Sequence, residues 1–268
     1  MKRPSNSYDA IAKHYDAAYA SKADLLDLPF YLELAKKARG PVLEIGCGTG
    51  RVLLPIARRG IKIHGVDNSS AMLRILKSHL AAEPLDVRKK FHLHNGDMRS
   101  VRLKEKFPLV IFPFRPLPHM FTVPDQLAAL KTAAAHLQPA GICAFDVFYP
   151  KYEVLLSGIG EEIKELEWKD CGNPGRVVRR FFRKDSVDKI HQKFNFTFIF
   201  RTYERNRLVR EESELFAMSY FTYPHMQALF QLAGLKIVKE YGSYAKTPLD
   251  NSAEQMIFLL KKSNSSRF

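Results

Sequence analysis

Three stretches carry residues that could do chemistry together. The first, Val42-Leu-Glu-Ile-Gly-Cys-Gly-Thr-Gly50, sets one acid, Glu44, inside an apolar run that breaks into glycines at 46, 48 and 50. Glycine at such a break lets the backbone take positive φ and lets a ligand approach the exposed N–H groups of a following helix. The second is an acid at the end of each of the next two apolar runs, Asp67 after Ile61–Val66 and Asp97 after Phe91–His94. An acid placed like Asp67 can accept both ribose hydroxyls of an adenosine lying over the glycine turn. The third is Phe112-Pro-Phe-Arg-Pro-Leu-Pro-His-Met120, where Arg115 could grip a phosphate or carboxylate and His119 could exchange a proton near neutrality. Arg115 as a surface ion pair and His119 as a capping or lining group are the plainer readings of the same residues. A dinucleotide loop needs a third glycine at position 51, under a pyrophosphate, and this chain has Arg51 there.

The elements that must hold these residues follow from periodicity. Apolar runs of strand length alternate with helical patterns: Arg51–Arg59 ending at Gly60, a helix capped by Ser69 or Ser70 and carrying Met72, Leu73, Leu76 and Leu80, and a helix over Gln126–Leu137 before a strand at Ile142–Phe148. Two helices, Tyr8–Ala20 with an Ile11, Tyr15, Tyr19 stripe and Leu25–Ala38, precede the first strand. Alternation at this period predicts an α/β fold, an open, doubly wound, Rossmann-like sheet with ligands at the carboxyl ends of its strands. From Ile163 to Tyr220 the helical period gives way to alternation, with Phe194, Phe196, Phe198 and Phe200 on one side. Antiparallel strands are expected near 161–168, 176–184, 189–203 and 207–220, with turns at 172–175 and 205–206. A helix at Tyr223–Ala233 and strands at Leu235–Tyr241 and Gln255–Lys261 follow. The domain reading is a core of residues 1–150 and 222–262, an antiparallel β insertion at 151–221, and a frayed tail at 263–268.

The 268 residues, 46% hydrophobic and 26% charged, suit a globular chain with room for a large core. No run approaches the roughly 18 apolar residues of a spanning helix, so the expected location is the cytoplasm, with no membrane partner. Cys47, Cys143 and Cys171 have neither metal-ligand spacing nor a disulfide framework, so no metal is expected. The net charge of +14 favours anionic partners without choosing among them. Between Lys169 and Arg210 stand twelve Lys or Arg against four Asp or Glu.

Across Tyr8–Tyr149 the sequence resembles the class I S-adenosylmethionine-dependent methyltransferases. Glu44–Gly50 is similar to that family's first motif, Gly65–Leu73 to its second and Asn95–Met98 to its third. The resemblance implies a seven-stranded methyltransferase sheet, S-adenosylmethionine as cofactor and S-adenosylhomocysteine as product. It implies a cofactor site built from Tyr15, Glu44, Gly46, Cys47, Gly48, Asp67, Asn68, Met72, Asp97, Met98 and Phe112. Tyr8 and His119 would then be catalytic, and Arg115 and Tyr149 would touch the acceptor. The Phe112–Met120 loop lacks the Asn/Asp-Pro-Pro-Tyr/Phe signature of enzymes acting on nucleobase amino groups, and resembles the small-molecule branch of amino-sugar and glycine-type N-methyltransferases. Arg115-Pro116 departs from the small polar residues usual there.

The leading expectation is methyl transfer, by in-line displacement, to N or O of a small anionic metabolite by a monomer or homodimer, the insertion serving as acceptor lid or dimerisation sheet. A tRNA or rRNA methyltransferase using the basic insertion, and a non-catalytic cofactor-binding regulator, are the alternatives. An NAD-dependent dehydrogenase is disfavoured by Arg51.

Overall fold

The computed structural model describes residues 8–20, 26–170 and 172–263. The expectations for Met1–Ser7, Cys171 and the tail beyond Ser263 lie outside them. The chain divides into two compact units. The described N-terminal residues group with Pro150–Tyr220, and Leu26–Tyr149 with the described residues from Phe221 form the other unit.

In the first unit, Tyr8–Ala10 forms a short 3-10 turn leading into α1 (Ala12–Ala20). The second unit begins with α2 (Asp27–Ala38), then β1 (Val42–Ile45), α3 (Leu53–Arg58), β2 (Ile63–Asp67), α4 (Ser70–Ala81), α5 (Leu85–Arg88), β3 (Phe91–Asn95), β4 (Phe107–Phe112), α6 (Val123–His136) and β5 (Leu137–Phe148). Back in the first unit come α7 (Tyr152–Leu156) and four strands, β6 (Glu162–Asp170), β7 (Asn173–Asp188), β8 (Lys193–Glu204) and β9 (Arg207–Ser219). The second unit closes with α8 (Tyr223–Leu232), β10 (Leu235–Tyr241) and β11 (Gln255–Lys262).

The second unit's seven strands lie in the order β10-β11-β5-β4-β1-β2-β3, with β1 to β5 parallel and β11 antiparallel to both neighbours. The expected doubly wound sheet is therefore present. Its strands are apolar on both faces because helices cover both. Alternate residues of β4 and β5 show this: Phe107, Val110, Phe112, Cys143 and Phe145 pack in one core with α6 and α8, whereas Leu109, Ile111 and Ala144 pack in another with α2, α3 and α4. The strand order reverses between β1 and β4, which opens a crevice beyond their carboxyl ends.

The helix signals worked as local chemistry. Ser69, not Ser70, caps α4 by accepting the Met72 N–H at 3.0 Å. Gly60 and Gly234 follow α3 and α8 with φ of +77° and +70°. Two boundaries moved. The helix after the glycines starts at Leu53 instead of Arg51, because the turn uses Arg51 and Val52. The fifth strand begins at Leu137, since Phe107 pairs with Leu137 and Leu109 with Ile142, so residues 138–141 bulge out of register.

The first unit's four strands form an antiparallel sheet in chain order. Phe194, Phe196, Phe198 and Phe200 are all buried, as their alternation predicts. The β8–β9 hairpin turns on Arg205 and Asn206, both left-handed at +48° and +64°, and Glu204 pairs with Arg207. The other turn is tighter than the sequence suggests, because Asn173 already pairs with Asp170 across β6 and β7.

Candidate active site

The glycine turn is built onto the end of β1. The N–H groups of Gly46 and Cys47 both donate to Val66 O, at 2.8 and 3.1 Å, and the Gly50 N–H donates to Cys47 O at 2.9 Å. Gly46, Gly48 and Gly50 all have left-handed φ, at +77°, +52° and +91°. A Cβ on Gly46 would stand 2.9 Å from the Pro116 ring, and one on Gly50 would stand 2.3 Å from Leu76 Cδ1. A Cβ on Gly48 would meet nothing within 4 Å, so the middle of the turn faces open space.

Two carboxylates frame that space. Asp67 Oδ2 accepts the Gly48 N–H and Oδ1 the Ser69 N–H, each at 2.8 Å, tying the end of β2 to the turn. Glu44 is 2% exposed and its Oε2 has no hydrogen-bond partner among the described residues. Burial pushes its carboxyl well above the usual range, and nearby Arg51 opposes that. Arg51 itself is committed: its Nη1 and Nη2 donate to Asp27 at 2.8 and 2.5 Å, and its guanidinium lies 4.8 Å over the Phe114 ring. The Asp67 carboxylate at the turn fits a ligand carrying hydroxyls and repels a pyrophosphate, and the buried Glu44 adds an acceptor without a partner among the described residues.

The remaining expected cofactor residues separate by exposure. Asn68 is exposed after β2, whereas Met72 (3%), Cys47 (4%) and Phe112 (1%) have core side chains, so Phe112 and Met72 can offer a ligand little beyond backbone. Burial also raises the Cys47 thiol, which excludes it as a ready nucleophile. Asp97 accepts from Arg99 Nε at 3.0 Å and Nη2 at 2.6 Å, and this bonding lowers its carboxyl. Arg99 continues to Asp125 at 2.9 Å. A purine edge at Asp97 would thus meet a carboxylate already engaged, while Met98 is half-buried against the core.

Beyond β4, Phe114 and Arg115 are consecutive left-handed residues, with φ of +64° and +65°. Each costs about 1–3 kcal/mol, and such strain collects at functional sites. Residue type carries no sign of this, since neither residue is Gly or Asn. The strain is met by Asp146 at the end of β5, fully buried, whose Oδ1 accepts the Phe114 N–H at 3.1 Å and the Tyr31 hydroxyl at 2.7 Å. Arg115 Nε stands 3.8 Å from Asp146 Oδ2, and neither atom has a hydrogen-bond partner among the described residues. Burial raises Asp146, and raises Tyr31 and Tyr244 beside it. Arg115, expected to reach an acceptor, is instead turned toward this carboxylate and lies 5.9 Å from the Phe148 ring. Sequence reasoning missed Asp146, although one acid inside the apolar run Cys143–Phe148 was the available signal.

His119 ends the 3-10 turn Leu117–His119, its N–H donating to Pro116 O at 3.1 Å. Burial lowers its imidazole to about 4, so it is neutral at pH 7 and able to accept a proton. Tyr149, just past β5, is half-buried against the core. Tyr8 and Tyr15 belong to the first unit, where Tyr8 packs on Phe216 at 5.0 Å and edge-on to Tyr15 at 6.0 Å, and Tyr15 packs on Tyr19 at 4.5 Å.

Residues 42–141, which include the glycine turn, Asp67, Asp97 and His119, match the family described as "Methyltransferase domain". Residues 42–141 are thus a methyltransferase domain. The turn and the Asp67 carboxylate suit a hydroxyl-bearing ligand without a pyrophosphate. The methyltransferase is 21% identical, over 96% of its length and 97% of the relative's, to the putative methyltransferase YqeM of Bacillus subtilis. It is 23% identical, over 82% of its length and 84% of the relative's, to the dTDP-3-amino-3,4,6-trideoxy-alpha-D-glucopyranose N,N-dimethyltransferase of Streptomyces venezuelae. The CcbJ methyltransferase of Streptomyces caelestis shares the methyltransferase's fold with a TM-score of 0.80 at 22% identity, covering 95% of this chain and 97% of that one. Among the described residues no helix is long and apolar enough to cross a membrane, and no group of side chains could hold a metal ion.

Proposed function

We propose that this methyltransferase acts on an amino nitrogen of a small anionic metabolite, of the amino-sugar kind, by in-line displacement. The observation that carries the cofactor half is the Glu44 and Asp67 pair framing a glycine turn at the switch point of the sheet. In this reading Gly46–Gly48 line the methionine part, Asp67 holds the ribose hydroxyls, and the orphaned Glu44 Oε2 complements the positive charge. The bound cofactor supplies a methyl group on a sulfonium, an electrophile that needs no metal or redox partner.

The chain's own work is alignment. The nitrogen lone pair forms the new N–CH3 bond as the S–CH3 bond breaks, its electrons remaining on sulfur. His119, neutral at pH 7, accepts a hydrogen bond from the amine N–H and so orients its lone pair, and the proton shed by the nitrogen passes to water. Support for an amino-sugar class comes from relatives named for dTDP-amino-sugar N,N-dimethylation, one of them aligned over 82% of this chain. Support for an anionic acceptor is the net charge of +14. An RNA acceptor is the weaker reading, because the phenylalanines of β8 are buried instead of forming a stacking platform, and Arg201, which follows them, pairs with Glu162 and Glu211. Incubating an extract with labelled cofactor and weighing the methylated product tests the proposal. A methylated RNA, or an uncharged product formed without salt dependence, would overturn its acceptor half.

A further inference from the structure

We propose that Asp146 is a positioning residue for the cofactor turn, acting through the strained pair Phe114-Arg115; the inference rests on the cofactor reading above. Three contacts connect it to the glycines. Asp146 Oδ1 accepts the Phe114 N–H at 3.1 Å, which fixes the first left-handed residue. Its Oδ2 faces Arg115 Nε at 3.8 Å, the charge beside the second. The next residue, Pro116, lies against Gly46 so closely that a Cβ there would stand 2.9 Å from the proline ring. The carboxylate therefore sets where the proline sits, and the proline bounds the wall of the glycine turn.

The arrangement is poorly explained as ordinary core packing. A fully buried carboxylate is costly even with Tyr31, Tyr244 and Arg115 beside it, and an apolar residue at position 146 would suit β5 better, flanked as it is by Phe145 and Val147. Two consecutive left-handed residues without glycine are also costly, and Arg115 precedes a proline, which further narrows its backbone choices. Both costs become intelligible if each balances the other: the charge holds the turn, and the turn gives the charge its partners. Tyr31 completes the set, donating from α2 at 2.7 Å and fixing the carboxylate's rotamer. Supporting contacts of this kind decide whether a ligand-facing wall is held within the tolerance that binding needs.

The test measures S-adenosylhomocysteine affinity by calorimetry on the full chain, with the melting temperature recorded in parallel. Asp146→Ala is expected to weaken binding about tenfold or more, by releasing the turn. Adding Arg115→Gly should restore affinity to within about threefold of wild type, because glycine takes left-handed φ without strain and removes the guanidinium left without its carboxylate. Asp146 acting only as core would lower the melting temperature without this rescue. Affinity in folded Asp146→Ala within about twofold of wild type, or a double variant no tighter than the single one, would overturn the proposal. If Asp146→Ala does not fold, Tyr31→Phe with and without Arg115→Gly carries the same comparison, and a loss without rescue overturns it equally. Wild-type protein that fails to bind S-adenosylhomocysteine would instead overturn the cofactor reading, and is recognised before any variant is made.

Discussion

In the seven-stranded sheet, ionisable groups enter the interior at few places, and Glu44 and Asp146 lie at or near the carboxyl ends of β1 and β5. In the four-stranded sheet charge is abundant and paired across strands: Arg201 meets Glu162 and Glu211, Arg179 meets Glu167, and Arg183 meets Glu162. The same chain thus treats charge in two ways. Exposed cross-strand pairs contribute little each and can be exchanged, whereas a buried, half-satisfied carboxylate is retained only where something uses it. The count of cations in β7 and β8 is therefore a poor guide to a ligand surface, because Glu162, Glu165, Glu167 and Glu211, which pair with them, lie on β6 and β9, outside the window counted. The few buried acids of the parallel sheet are better guides.

This contrast can be broken by substitution. The largest effect is expected at the glycine turn: Gly46→Ala puts a Cβ 2.9 Å from Pro116 at a φ of +77°, and should abolish measurable S-adenosylhomocysteine binding in calorimetry. Next, His119→Asn should lower the methyl-transfer rate about 100-fold while leaving cofactor affinity unchanged. Retained rate would return His119 to a lining role. In the wild type the rate limb assigned to His119 should lie near pH 4, where burial places it, instead of near 6.5.

A third expectation concerns His64, 7% exposed on β2, whose imidazole burial and the neighbouring His92 lower to about 4. The folded state then binds fewer protons than the unfolded state between the two values. Stability should be complete above about pH 6.5 and eroded as pH falls toward 4, by about 2 kcal/mol at pH 5, and His64→Phe should flatten that slope in urea titrations at pH 7 and 5. The smallest effect is expected in the antiparallel sheet, where Glu211→Gln removes one of the two acids on Arg201 and should cost under about 1 kcal/mol in thermal unfolding. A larger loss there than at His64 would reverse the contrast.

Much of the parallel unit is legible in the sequence because its signals are local. Val42–Gly50 announces strand, turn and helix within nine residues, and Ser69, Gly60 and Gly234 mark helix ends by their own chemistry. What escaped is non-local. Tyr31 and Asp146 are distant in sequence and meet only because α2 packs beside β5. The left-handed Phe114 and Arg115 leave no trace in residue type, since their conformation is imposed from across the sheet. The bulge at 138–141 follows from register with β4, which no reading of β5 alone supplies. Among the expected site residues, Phe112 and Met72 matched a motif by position, but position does not reveal which way a side chain points.

The place of β11 bears on how the protein is made. It pairs with β5, Phe258 opposite Phe145, yet the four antiparallel strands β6 to β9 are translated between the two. Until β11 emerges from the ribosome, β5 is an open edge bearing Phe145 and Val147, the kind of surface on which nascent chains associate. The antiparallel unit, closed by consecutive hairpins, has no such wait. Synthesis therefore favours a parallel sheet that completes after the antiparallel one, and a chain stopped before Gln255 is expected to aggregate through β5 rather than through the insertion.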